Sequence, residues 1–304
     1  MKSGFIAIAG APNVGKSTFL NQILGFKLAI TSDKPQTTRH RLLGVHNDPK
    51  QDMQIVFLDT PGLHDPDKPL NRVLVDTALA ALEDVDAVLF MADVTRKGLK
   101  ASEKVAELLQ KSNKPTLLAI NKIDLLPQKQ ALFPILDQAN SWGEWSALVP
   151  VSAMKGDGCE LVVSELAGLL PEGDPLFPPD VITDLSMRFL AAEMIREKVF
   201  RLTEREVPYS VAVTVDEFME PEEEDGTTAI SATIHVERSG QKAIIIGKGG
   251  SMIKKIGTKA REDLETMIGA KVFLDLFVRV EPKWSTNASG LRKMGFDSQS
   301  GGNS

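Results

Sequence analysis

With 304 residues, 42% of them hydrophobic, the chain exceeds the usual size of one domain and holds apolar material for about two cores. A formal net charge of −6 excludes a protein that coats nucleic acid indiscriminately, because that needs a generally basic surface. Uncharged apolar runs such as Ala87–Ala92 fall far short of the roughly 18 residues of a spanning helix, and a lone cysteine, Cys159, permits no internal disulfide.

Met1-Lys2-Ser3-Gly4 leads straight into a strand-length apolar run, so no export signal is expected. Five strand-like runs, Phe5–Ala9, Gln54–Leu58, Ala87–Ala92, Thr116–Ile120 and Ala147–Val151, are each followed by a helical pattern. That alternation predicts a doubly wound, mostly parallel α/β sheet over residues 1–170, with ligands held beyond the carboxyl ends of its strands. Each polar motif found in this half falls at such an end. First comes Gly10-Ala11-Pro12-Asn13-Val14-Gly15-Lys16-Ser17, between a strand and the helical stretch Thr18–Leu24, which is the context of a phosphate-binding P-loop. Its glycines let successive N–H groups face a β-phosphate, Lys16 adds a point charge, and the Ser17 hydroxyl can ligate Mg²⁺.

Asp33–Arg41 is polar and turn-rich, and reads as a first switch loop whose Thr37 or Thr38 ligates Mg²⁺; Thr38 is favoured, although one sequence does not decide between them. Asp59-Thr60-Pro61-Gly62 closes the next strand, offering a carboxylate to Mg²⁺ and the Gly62 N–H to a γ-phosphate. Asn121-Lys122-Ile123-Asp124 carries the choice of base, since a carboxylate at Asp124 can accept from both N1–H and the 2-amino group of guanine, donors that adenine lacks. Val151-Ser152-Ala153 is placed to bring a backbone N–H to guanine O6. Together these residues resemble the translation-factor-related P-loop GTPases over the whole first half. Leu63 departs from the pattern in which a glutamine orients the attacking water, so slow intrinsic hydrolysis is expected. The resemblance implies a further role for Asn13, binding K⁺ where other GTPases place an arginine finger; an ordinary turn residue is the equal alternative.

Pro171–Asp180 breaks both periodicities and reads as a proline-rich linker. From 181 to 283 the pattern predicts α-β-β-α-α-β, with the acidic run Glu220–Asp225 as a hairpin loop and Gly247-Lys248-Gly249-Gly250 between two helices. This order resembles a type II KH domain. Arg238, Lys242, Lys248, Lys254, Lys255, Lys259 and Arg261 are the charged residues of 238–261, and no acid interrupts them. Such a basic face beside a glycine turn is the footprint of a groove that tracks a single nucleic-acid strand, with Lys242, Gly247–Gly250, Lys254 and Lys255 as its candidate contacts. Residues 284–304 read as a basic, then flexible tail; Trp284 is expected to pack on the last strand, with base stacking as the alternative. Cys159 lies near a helix start that could favour a thiolate, although a buried filler is the plainer reading. His40, His46, His64 and His235 are scattered without the spacing of a zinc site.

The two halves, Leu63 and Pro35-Gln36-Thr37-Thr38-Arg39-His40 resemble the Era-like subgroup of bacterial GTPases. The resemblance implies GTP and GDP as ligands, Mg²⁺ and possibly K⁺ as cofactors, and cytoplasmic location with peripheral contact at the inner membrane left open. It also implies the 3′ end of 16S rRNA and the 30S subunit as partners, with assistance to subunit assembly and rRNA maturation. No DNA partner is expected. The alternatives are an RNA-binding scaffold that uses nucleotide only structurally, and an RNA-modification GTPase.

Overall fold

The computed structural model describes residues 1–32, 34, 37–63, 69–221, 223 and 226–295. Pro35 and Gln36 of the first switch loop, and the predicted flexible stretch 297–304, lie outside them. Two compact units result, the first ending at Asp184 and the second beginning at Leu185.

In the first unit the elements run β1 (Lys2–Gly10), α1 (Lys16–Leu24), β2 (Leu42–Asp48), β3 (Met53–Asp59), α2 (Pro69–Glu83), β4 (Ala87–Asp93), α3 (Arg96–Leu109), β5 (Thr116–Asn121), α4 (Leu132–Asn140), β6 (Ala147–Pro150) and α5 (Cys159–Leu169). They build a six-stranded sheet of order β2-β3-β1-β4-β5-β6, parallel except for β2. The middle strands are continuous apolar runs because helices cover both faces; β3, β4 and β5 are buried along their whole length. Register then gathers the strand ends along one edge. Ile8 pairs with Asp59, Gly10 with Met91, and Asp93 with Asn121. Since β2 runs the other way and starts with Leu42 opposite Asp59, the loop before it returns Thr38 to that same edge.

The stretch expected to be a linker is hydrogen-bonded to this sheet instead. Lys2 bridges to Glu172, the Ser3 N–H donates to Pro171 O, the Val45 N–H donates to Ile182 O, and the Thr183 hydroxyl donates to Leu43 O. Proline-rich composition suggests a spacer, but here it supplies a strap continued by Ile182 and Thr183, whose carbonyl and hydroxyl, respectively, pair with Val45 and Leu43 on the outer edge of β2. Its hub is Gln54, fully buried on β3. The Gln54 Oε1 accepts from the N–H groups of Leu176 (2.6 Å) and Phe177 (2.9 Å), while Nε2 donates to Phe177 O (2.8 Å) and Asn47 Oδ1 (2.6 Å). Gln54→Leu strips partners from all four groups, and buried unsatisfied groups cost about 1–3 kcal/mol each, less where water reaches them. We expect a net loss of about 2–4 kcal/mol in urea unfolding, with faster proteolysis inside 172–183. Unchanged stability would mean that the strap contributes nothing.

The second unit holds α6 (Met187–Leu202), β7 (Ala212–Met219), β8 (Thr227–Val236), α7 (Ser239–Ile246), α8 (Ser251–Ile268), β9 (Lys271–Val280) and α9 (Ala288–Lys293). Its sheet, β7-β8-β9, has β8 antiparallel to β7 and parallel to β9. The alternating strands turn Ala232, Ile234 and Val236 onto Ile195 and Val199 of α6, Ile245 of α7, and Ile256 and Ala260 of α8. Charged side chains buried on α6 are paired, Arg196 with Glu193 at 2.6 Å and Lys198 with both Glu197 and Asp263, as burial of charge requires.

Beyond β9 the stretch read as a basic tail holds a short helix, and Trp284 packs inward, as expected, rather than stacking on a base. Trp284 is 1% exposed and its Nε1–H donates to Ser210 O at 3.0 Å, so its ring is core and cannot stack on a base. That anchor precedes α9, which is capped by the Asn287 side chain and buries Leu291 and, just after it, Met294.

Candidate functional site

At the sheet's carboxyl edge the chain leaves β1 through Gly10, whose φ of 154° and closeness to Met91 O (2.4 Å from a built Cβ) tolerate only glycine. The loop ends at Gly15 in the left-handed region, where a Cβ would meet the Asn121 amide at 2.1 Å. Glycine also leaves α1 without a side-chain cap, so its first-turn N–H groups remain available to an anion. Lys16 reaches back over the loop, donating to Gly10 O (3.1 Å) and Ala11 O (3.2 Å).

Three oxygens meet beside it. Ser17 Oγ lies 2.8 Å from Thr38 Oγ1 and donates to Asp59 Oδ2 at 2.8 Å, while Thr38 Oγ1 donates to the same oxygen at 3.2 Å. Thr38 is buried and Thr37 only half-buried, so the geometry favours Thr38 between the two sequence candidates. Asp59 Oδ1 is buried with no hydrogen-bond partner. Two hydroxyls and a carboxylate with an orphaned oxygen form a hard oxygen donor set that suits Mg²⁺. Thr60 anchors the following turn by donating to Ile8 O, and Gly62 comes so close to Pro12 that a Cβ would lie 2.9 Å from it. Leu63 is buried, its N–H donating to Gly10 O at 3.1 Å; its side chain has no polar atom with which to orient water.

Burial drives both charged groups here toward neutrality. It lowers Lys16 to about 8, only partly offset by the Asp59 carboxylate. It raises Asp59 above the usual carboxylate range, against the pull of Lys16 and the Ser17 and Thr38 hydroxyls. For Lys16 the folded value lies below the unfolded value of 10.5, so the unfolded chain holds more protons between them and this group makes stability rise with pH through that window. Phosphate bound against the ammonium reverses the shift. Lys16 should therefore take up about half a proton on GDP binding at pH 8 without divalent cation. At pH 6 it is already charged and the terminal phosphate, which titrates at about 6, releases its own proton, so the net exchange changes sign. Calorimetry in buffers of different ionisation enthalpy reads this uptake; the same value at both pH values would sink the assignment.

The base-side loops are tied together by Asn121, whose Nδ2 donates to Val14 O (2.8 Å) and whose Oδ1 accepts from the Ala153 N–H (2.9 Å). Lys122, left-handed at φ 66°, donates to Asn13 O (2.6 Å) and to Asp93 Oδ2 (2.8 Å). Asp124 accepts from the Ser152 hydroxyl at 2.6 Å, which fixes one carboxylate oxygen. Sequence reading missed Asp93. Its carboxylate also accepts from the Thr95 N–H and holds Lys122 over the P-loop; the available signal was an acid at the end of β4, on the edge where the other motifs gather. Cys159 starts α5, but burial and the Asp157 charge push its thiol up to about 11, so the thiolate alternative fails.

In the second unit the glycine turn joins α7 to α8. A Cβ on Gly247 would lie 2.8 Å from Met252, whereas Gly249 and Gly250, both left-handed, have nothing within 4 Å of that position. Two adjacent residues therefore expose bare backbone to open space at the uncapped start of α8. Lys248, Lys254 and Lys255 are exposed around it, with Lys242 half-buried on α7. Among the described residues no helix is long and apolar enough to cross a membrane.

The P-loop, the Asp59 and Asn121–Asp124 strand ends, and the glycine-turn α+β unit define a P-loop GTPase followed by a KH domain. A family model described as a 50S ribosome-binding GTPase matches residues 5–122, and a KH domain model matches 206–285. GTPase Era of Geotalea uraniireducens is 50% identical over 97% of this chain and 98% of its own. A crystal structure of an Era variant from Aquifex aeolicus bound to GDP and AlF4⁻ shares 42% identity and superposes with a TM-score of 0.91, covering 97% of this chain and 99% of that one. A crystal structure of Era in complex with MgGDPNP and nucleotides 1506–1542 of 16S ribosomal RNA gives 43% and 0.92 over the same shares. The chain belongs to the GTPase Era family; it binds guanine nucleotide and hydrolyses GTP to GDP and phosphate.

Proposed function

We propose that this GTPase is a nucleotide-timed RNA-binding switch that grips single-stranded 16S rRNA near its 3′ end and assists 30S subunit assembly and rRNA maturation in the cytoplasm. The observation that carries the reading is the open, left-handed Gly249-Gly250 backbone at the start of a basic helix, in the same chain as a complete guanine-nucleotide site. Glycines there let a sugar-phosphate backbone approach closely, and Lys242, Lys248, Lys254 and Lys255 supply the positive charge. The relative solved with 16S rRNA nucleotides supports the choice of RNA.

In the first unit Ser17, Thr38 and Asp59 would hold Mg²⁺, which neutralises charge on the transferring phosphate. Lys16 and the P-loop N–H groups bind the phosphates, and the Gly62 N–H senses the third. With Leu63 buried and apolar, hydrolysis is intrinsically slow; Asn13 would help to hold K⁺, which would supply the missing positive charge, the alternative being an ordinary turn residue, a role its φ of 66° also suits. Equal turnover in matched Na⁺ and K⁺ buffers would remove K⁺ from the mechanism. Crosslinking bound RNA and sequencing it, with GTP analogue and with GDP, tests target and switch together. Recovery of the 16S 3′ end with unequal affinity in the two states is expected, since coupling is reciprocal. Equal affinity in both states would leave a passive scaffold, and enrichment of other sequences would refute the target.

A further inference from the structure

At the far end of α8 from the glycine turn, about 27 Å away along its 18 residues, the second unit carries a cavity of about 450 Å³. Its walls are Met187 at the start of α6, Phe218 near the end of β7, and Met267 and Ile268 at the end of α8. Phe218, Met267 and Ile268 pack their inner sides on the buried cluster of Met194, Ile230 and Leu264, so the core continues outward into this hollow without a lid from its own helices. Pro221, with Glu220 and Glu223 of the hairpin loop, forms the rim. On the opposite, outer face of the sheet Met219 and Phe273 stand 56% and 63% exposed, both paired to Ala229 across the strands, and neither lines the hollow.

The charge around the hollow selects the occupant. No lysine or arginine lies between Arg205 and Arg238, whereas 220–225 is acidic except for Pro221. Arg188, next to the cavity wall, donates to the carbonyls of Val215 and Asp216, and Lys271 at the start of β9 is exposed. Phosphate is repelled here, in contrast to the basic opposite end of α8. We propose that this hollow is a protein-docking site for a basic peptide segment that seats one bulky apolar side chain against Phe218 and Met267 and sets flanking lysines or arginines on Glu220 and Glu223. A buried apolar anchor ringed by complementary charge supplies affinity at the centre and orientation at the rim.

The test uses the GDP-bound full chain with ¹³C-methyl methionine and a pooled synthetic hexapeptide library, Lys-Arg-X-X-Lys-Arg, with X drawn from Leu, Ile, Met and Phe. Shifts of the Met187 and Met267 methyls, with Met252 in the first turn of α8 unmoved, are expected. The double variant Glu220→Lys/Glu223→Lys, and separately peptides with serine at X, should each weaken binding at least about tenfold. Four results would overturn the proposal: no shift at Met187 and Met267, a shift centred on Met252, equal binding of the serine peptides, or indifference to the charge reversal. Shifts that grow with protein concentration in the absence of peptide would also overturn it, assigning the hollow to a second copy of the chain.

Discussion

Asp124→Asn is expected to lower GTP affinity by about 10²–10⁴-fold and to make xanthosine triphosphate the better ligand, because a site built around specific donors rejects an analogue that mismatches them by such factors. The Ser152 hydroxyl holds one Asp124 oxygen at 2.6 Å, so the carboxylate is oriented before any ligand arrives. Guanine presents two donors, N1–H and the 2-amino group, to two acceptor oxygens. Asparagine keeps one oxygen and turns the other position into a donor, which faces the guanine amino group as a like partner. Xanthine carries a carbonyl there and restores the pair. The surrounding frame does not depend on the substituted atom, since Asn121 and Lys122 bind Val14 and Asn13 through separate bonds. Competition binding with the two triphosphates and a fluorescent GDP analogue reads the change; a variant that still prefers GTP would show that the base is chosen elsewhere.

What could be read in the chain follows from where its hydrogen bonds go. Lys16, Ser17, Asp59, Asn121 and Asp124 sit next to strands that announce themselves by apolar runs, and the register that brings the strand ends together is implied by parallel pairing. Local pattern was enough there. Asp93 acts on Lys122 from 29 residues away, and an isolated acid after a strand carries no sign of that partner. Residues 172–183 have the composition of a spacer because extended backbone needs no periodicity; their partners, Asn47 and Gln54, lie more than a hundred residues earlier. Helix α9, with six residues, is too short to show a helical period, and it depends on the Trp284 anchor that precedes it. The type of each domain was therefore legible, while the couplings between remote segments were not.

The loop before β2 shows the same limit most sharply, and it carries the second large prediction. Thr37 and Thr38 are chemically identical neighbours, so sequence cannot separate them; backbone direction can. Leu42 pairs with Asp59, and the chain entering β2 turns Thr38 into the buried group with Ser17 and Asp59, whereas Thr37 is left half-buried. In the proposed reading a hydroxyl in that position, already beside Ser17 and Asp59, would be a ligand to Mg²⁺ in the GTP state. Thr38→Ala should lower single-turnover GTP hydrolysis by about 10²–10³-fold, the usual cost of removing one pre-positioned group that stabilises charge in the transition state, about 2.7–4 kcal/mol. GDP affinity should change little, since this contact is made through the cation in the triphosphate state. Thr37→Ala should remain within about threefold of the parent, in the range of a half-exposed substitution away from the reacting groups. Measuring the two variants side by side across a Mg²⁺ titration separates loss of cation binding, which added Mg²⁺ restores, from loss of the closed loop, which it does not. If Thr37→Ala proved the slower enzyme, the loop would have to shift by one residue on binding GTP, and Thr38 would be structural.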